Sequence, residues 1–200
     1  YNNLGAALQK SKKINDAVDC YKKALSLKED FAEAYNNMGN VMRDLGKSKD
    51  ALPYIEKAIK INPNFPEAYL NLGSANEEIG NPKAALENYK KAIEIKPDYA
   101  EAHNSIALVL VVFTNFDEAI SMFKKAIQLK PDYEKPYNNL GNLQSDLGKF
   151  DLAKDLYHQA IKIKPYYPKA HSNLLFSLNY KIDFDIETYL SEAKKLGLNW

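Results

Sequence analysis

Asparagine is the polar residue that this sequence repeats most regularly. Asn3, Asn37, Asn71, Asn139 and Asn173 stand on a 34-residue ladder, and Ser105 interrupts it. A second column, one residue earlier, holds Asn2, Asn36, Asn104 and Asn138. A carboxamide offers N–H donors and a carbonyl acceptor on one short side chain. That pairing matches what a peptide backbone presents. A column of carboxamides can therefore grip an extended peptide with little regard for its sequence. Asn is a mediocre helix former, so helix stability does not explain the recurrence. A second use is open to the same residues: hydrogen bonds within the repeat that hold adjacent helices. Peptide contact is expected of Asn3, Asn37, Asn71, Asn139 and Asn173, and a structural or solvated role of the other column.

The other reactive residue types do not assemble into a site. His103 and His171 align in the period with Tyr1, Tyr35, Tyr69 and Tyr137 and read as packing residues. His158 reads as an outer-face residue. No spacing gives the clustered Cys and His that zinc needs, so no metal site is expected. There is no Gly-rich phosphate loop, and no cofactor is expected. Cys20 is alone, which excludes a disulfide within the chain and fits a reducing, cytoplasmic compartment. Glu77 and Glu78 read as solvated surface, not as a catalytic pair. No catalytic residue is expected in this chain.

A fixed period of this length means stacked, similar helical elements, each contacting its neighbours. Numbering each copy 1–34 gives complete copies at 32–65, 66–99, 100–133 and 134–167, a partial one at 1–31 and half of a sixth at 168–180. Position 7 carries Leu4, Met38, Leu72, Ile106, Leu140 and Leu174 on a first helix. Position 8 carries Gly5, Gly39, Gly73 and Gly141, where close helix packing leaves no room for a side chain. Gly46, Gly80 and Gly148 mark the turn and suit a helix C-cap. A second helix then repeats small, large, small: Ala17, Tyr21 and Ala24 in the first copy, Ala153, Tyr157 and Ala160 in the fifth. Spacings of 4 and 3 put these on one helical face. Pro63, Pro97, Pro131 and Pro165 stop that helix. Glu29 stands at this position in the first copy, so a softer boundary is expected there.

These Gly, Ala, aromatic and Pro positions resemble the tetratricopeptide repeat over residues 1–180. The resemblance implies an all-α, right-handed superhelical solenoid of antiparallel helix pairs, with first helices lining a concave groove. The Asn ladder should then face that groove.

After Tyr180 the pattern fails. Ile186, Tyr189, Leu190, Ala193 and Leu196 form an amphipathic stripe, so residues 181–200 are expected to form a helix that caps the last copy. Residues Ala170–Tyr180, with the acidic helix and Trp200, also resemble the junction between repeats and catalytic region in bacterial relatives of O-linked N-acetylglucosamine transferase. That resemblance implies a substrate-recognition arm, peptide contact by the ladder, and a sugar-nucleotide-binding domain beyond Trp200.

The partner is expected to be a protein or peptide segment. Lys+Arg 27 against Asp+Glu 26 leaves a net charge of +1, which lacks the basic excess of a nucleic-acid binder. No apolar run reaches the roughly 18 residues of a membrane span. Leu108, Val111 and Val112 are apolar at groove-facing positions of the copy 100–133, which makes them a candidate contact patch. Position 2 changes from Glu33, Glu67 and Glu101 to Lys135 and Lys169. That change suits either a partner of complementary polarity or, for the Glu, the helix dipole. A free-standing scaffold or adaptor is the alternative to the transferase arm. The sequence sets no oligomeric state.

Overall fold

A computed structural model describes residues 1–178 together with Glu187, Leu190, Ser191 and Lys194. These residues contain no strand. The helices are α1 (Asn2–Lys10), α2 (Ile14–Leu27), α3 (Ala32–Asp44), α4 (Ser48–Ile61), α5 (Pro66–Glu78), α6 (Pro82–Ile95), α7 (Ala100–Val112), α8 (Phe116–Leu129), α9 (Glu134–Asp146), α10 (Phe150–Ile163) and α11 (Pro168–Leu178). The end of the half copy, Asn179 and Tyr180, lies outside the described residues. So does the expected capping helix, apart from the four positions named above, which are helical.

Two compact segments divide after Ala102. In the first, each helix from α1 to α6 packs on the next, and α3 also touches α1 and α5. In the segment from His103, α8 packs on α9, α9 on α10 and α10 on α11, and α9 also touches α11. Each segment therefore has a layer of first helices and a layer of second helices.

The small–large–small face is the core of each copy. Ala17, Ala51, Ala85, Ala119 and Ala153 are all fully buried, and the large residues between the alanines are 0–2% exposed. Removing such area from water stabilises by about 25 cal/mol per Å². Glycine at position 8 lets the large side chain lie against the first helix. A Cβ on Gly141 would stand 2.6 Å from Tyr157 Cε1, and one on Gly5 2.7 Å from Tyr21 Cε1.

The turn between the two helices needs a left-handed residue. Gly46, Gly80 and Gly148 supply it at φ 71°, 82° and 73°. Lys12 and Thr114 take the same conformation at φ 59° and 57° without being glycine. The second helices α4, α6, α8 and α10 each end two residues before their proline. The softer boundary expected at Glu29 is not found, because α2 ends in the same register at Leu27. Lys28 is extended there, and its ammonium lies 5.3 Å from the Phe31 ring. Lys96 on Tyr99, Lys130 on Tyr133 and Lys164 on Tyr167 repeat that contact in other copies. Proline is also not confined to helix stops, since Pro53 lies inside α4.

Candidate functional site

The asparagines tie neighbouring first helices together. In the first segment Asn37 Nδ2 donates to Asn2 Oδ1 at 3.0 Å, and Asn71 Nδ2 to Asn36 Oδ1 at 2.9 Å. In the second, Asn139 donates to Asn104 and Asn173 to Asn138, both at 3.0 Å. Every rung joins position 5 of one copy to position 6 of the next, 35 residues apart. The position 5 residues Asn2, Asn36, Asn104 and Asn138 are buried at 3–8% exposure. Asn37, Asn71, Asn139 and Asn173 are half-buried, and Asn3 is exposed. One N–H of each position 6 carboxamide closes the rung, leaving a second N–H and the carbonyl at the face. Some of that capacity is used: Asn71 Oδ1 accepts from Arg43 Nη1 at 3.4 Å, and Asn173 Nδ2 also reaches Asn142 Oδ1 at 2.8 Å.

A second line of ties runs along the first segment at the same separation. Gln9 Nε2 donates to Asp44 Oδ2 at 2.6 Å. Arg43 binds Glu78 through two nitrogens, Nη2 to Oε1 at 2.7 Å and Nε to Oε2 at 3.2 Å. Burial pushes the Glu78 carboxyl up. The hydrogen bonds from Arg43 and Ser48 and the Arg43 charge outweigh it and hold Glu78 below the usual carboxylate range. Glu77 accepts from the Tyr89 hydroxyl at 2.8 Å. Glu77 and Glu78 are thus exposed but structured carboxylates, not simply solvated ones.

The core tyrosines reach this face from behind. Tyr21 OH donates to Gln9 Oε1 at 3.0 Å, and Tyr157 OH to Asn142 Oδ1 at 2.9 Å. Burial, then the Asp146 charge, pushes the Tyr157 hydroxyl up to about 12, against a hydrogen bond from Ser145. The histidines sit where packing predicts. His103 and His171 are 7% and 5% exposed, and His171 Nε2 lies 2.8 Å from the Pro165 carbonyl, as Tyr137 OH lies 3.2 Å from that of Pro131.

The second segment holds a cavity of about 520 Å³ beside its asparagine rungs. Its lining includes Leu108, Lys135, Asn139, Asn142, Lys169 and Asn173, with Tyr133 and Tyr167 at its edge-forming turns. Leu108 is 36% exposed and Val112 67%; Val111 is half-buried. The structure thus brings Leu108 together with two ladder residues, while Val111 and Val112 lie outside the cavity lining. Phe113, 38% exposed beside Val112, escaped the sequence reading. So did the 35-residue ties. Their signal was the offset between the two Asn columns. Among the described residues, no group of three or more His, Cys, Asp or Glu could hold a metal ion, and no helix is long and apolar enough to cross a membrane.

Comparison with known families and structures agrees with the repeated helix pair. One family model, described as TPR repeat, matches residues 5–46 and 115–148. Two described as tetratricopeptide repeat match 30–98 and 135–167. The crystal structure of MamA is similar at 27% identity and TM-score 0.68, over 82% of this chain and 96% of that one. YrrB, described as a TPR protein with an unusual peptide-binding site, is similar at 26% and 0.62, over 85% and 88%. PilF of Pseudomonas aeruginosa shares the fold at 17% identity and TM-score 0.84, over 98% and 88%. No curated protein matches the chain.

Proposed function

We propose, from the premise that the chain belongs to the tetratricopeptide-repeat family, that it binds an extended peptide or protein segment on the face of its first helices. The observation that carries this reading is the half-buried position 6 carboxamide. Each is held in place by its rung; Asn37 keeps its second N–H and its carbonyl, while Asn71, Asn139 and Asn173 share part of theirs with Arg43, Asn138 and Asn142. Such pre-set groups bind with little ordering cost. The peptide-binding site named for YrrB supports the same use of this fold. The test is peptide binding by a triple variant, N37A/N71A/N139A, with its helicity checked by circular dichroism. A folded triple variant that binds the same peptides equally well would remove the ladder from the site. Serine replacements, which copy Ser105, repeat the test with less loss of hydrogen bonding.

A finer reading makes the chain the substrate-recognition arm of a glycosyltransferase similar to O-linked N-acetylglucosamine transferase. Its support is sequence alone: Ala170–Tyr180, the acidic stretch and Trp200 that follow, and the Asn-rich repeats. Reading the native product past Trp200 decides it. A sugar-nucleotide-binding domain there would establish the arm, and its absence would leave a free-standing scaffold or adaptor.

A further inference from the structure

We infer that the cavity of the second segment selects a segment carrying an acidic residue beside an apolar one. This rests on the peptide-binding reading above and names the ligand class for one site.

The charge argument begins with a local rule that the sequence breaks. Position 2 lies in the first turn of a helix, where a carboxylate complements the dipole and an ammonium opposes it. Glu33, Glu67 and Glu101 obey this in α3, α5 and α7. Lys135 and Lys169 violate it in α9 and α11. Departures from local preference concentrate at functional sites. Both lysines are exposed and line the same cavity. Neither forms an ion pair among the described residues, and Glu134, next to Lys135, is paired with Lys164 at 3.2 Å. Among the described residues, no carboxylate lines the cavity. Its described lining therefore presents two cations and the carboxamides of Asn139, Asn142 and Asn173, without a compensating acid. The ligand chemistry that completes it is a carboxylate.

The apolar argument comes from position 9. Asn40, Ser74 and Asn142 are polar there and Ala6, Leu108 and Phe176 apolar; of the apolar three, Leu108, 36% exposed, is the one in the cavity wall. A solvent-facing Leu among carboxamides gains by covering against an apolar side chain. Extended chains place neighbouring residues on a lattice that can meet Leu108 and the lysines together.

The experiment measures fluorescence anisotropy of labelled Gly-Ser peptides with a central Leu-Glu-Glu, Leu-Gln-Gln, Leu-Lys-Lys or Ser-Glu-Glu. Two exposed ion pairs give Leu-Glu-Glu a preference of about 2- to 30-fold over Leu-Gln-Gln, shrinking as salt is added. K135E/K169E installs the residue that other copies hold at this position and suits the helix dipole, so the variant folds. It reverses the order in favour of Leu-Lys-Lys. L108N, copying Asn142, abolishes the preference for Leu-Glu-Glu over Ser-Glu-Glu. If the peptides bind alike and K135E/K169E changes nothing, this inference falls and peptide binding by the face stands. An acidic preference that survives K135E/K169E also overturns it, since the charge is then read elsewhere. If no peptide binds the wild-type chain, the inference and the reading beneath it fall together.

Discussion

Gly141→Ala isolates the packing of the second helix against the first. In a free helix the change is favourable by about 1 kcal/mol. Here the new Cβ would meet Tyr157 at Cε1, Cδ1 and Cζ, at 2.6, 2.8 and 3.1 Å. Tyr157 is 2% exposed and its hydroxyl is bonded to Asn142, so the ring is held at both ends. Overpacking costs about 1–3 kcal/mol, and losing the hydroxyl bond adds about 1 kcal/mol. The net expectation is a loss of about 1–3 kcal/mol by urea unfolding followed by circular dichroism. Hydrogen exchange at α9 and α10 amides localises it, because repeat arrays need not unfold in one step. The fourth copy indicates the rescue: it has Ala107 at this position and Phe123, without a hydroxyl, as the large residue. Freed of its bond to Asn142, a phenyl ring can re-seat. G141A/Y157F should therefore cost less than the sum of its single variants by at least about 0.5 kcal/mol, beyond ordinary additivity error. A neutral or stabilising G141A, or strict additivity, would refute the reasoning.

Three further outcomes follow from particular residues. Gln144 is 6% exposed, and its Oε1 has no hydrogen-bond partner among the described residues, whereas Leu8, Leu110 and Leu178 hold the same repeat position. Gln144→Leu should therefore raise stability by about 1–2 kcal/mol in the same unfolding assay. Thr114 is β-branched at φ 57°, so Thr114→Gly should stabilise by about 0.5–1 kcal/mol, left-handed strain relieved less the entropy of glycine. Glu78 has its carboxyl held below the ordinary value of 4.5 in the folded chain. Its contribution is present above the unfolded value and is lost as pH falls through the lower folded one. Acid unfolding of Arg43→Ala should be flatter over that window than that of the wild type, and equal slopes would exclude the ion pair as a source of acid sensitivity.

Much of the fold is legible because comparison at a 34-residue step lines up residues with one physical job. Ala17 and its equivalents must be small, Tyr21 and its equivalents large, and Gly46 left-handed, whichever copy is read. Where the step has exceptions, the single sequence misleads. Glu29 suggested a frayed helix end, but the turn is fixed by extended Lys28 and its contact with Phe31, and proline adds to that stop without creating it. Lys12 and Thr114 hide the turn that Gly46 advertises. The site is less legible for a geometric reason. Its ties are 35 residues long, one more than the period, so aligned columns do not show which residues meet. Gln9 with Asp44 and Arg43 with Glu78 also differ in residue type, so no column marks them. Leu70 and Ser105 stand at that same offset and depart from Asn together, which is the sequence clue to the pairing.

The offset of these ties makes copy number editable. Excising residues 32–65 would leave Asn2 35 places before the residue now called Asn71, relabelled by the shift, and Gln9 the same distance before Glu78. Both new neighbours are competent donor–acceptor pairs. A shortened chain would meet matching chemistry at its new seam with no redesign. Duplicating the same stretch would repeat Asn36 and Asn71-type joins just as simply. The length of the first-helix face can change in whole modules while each join stays the same.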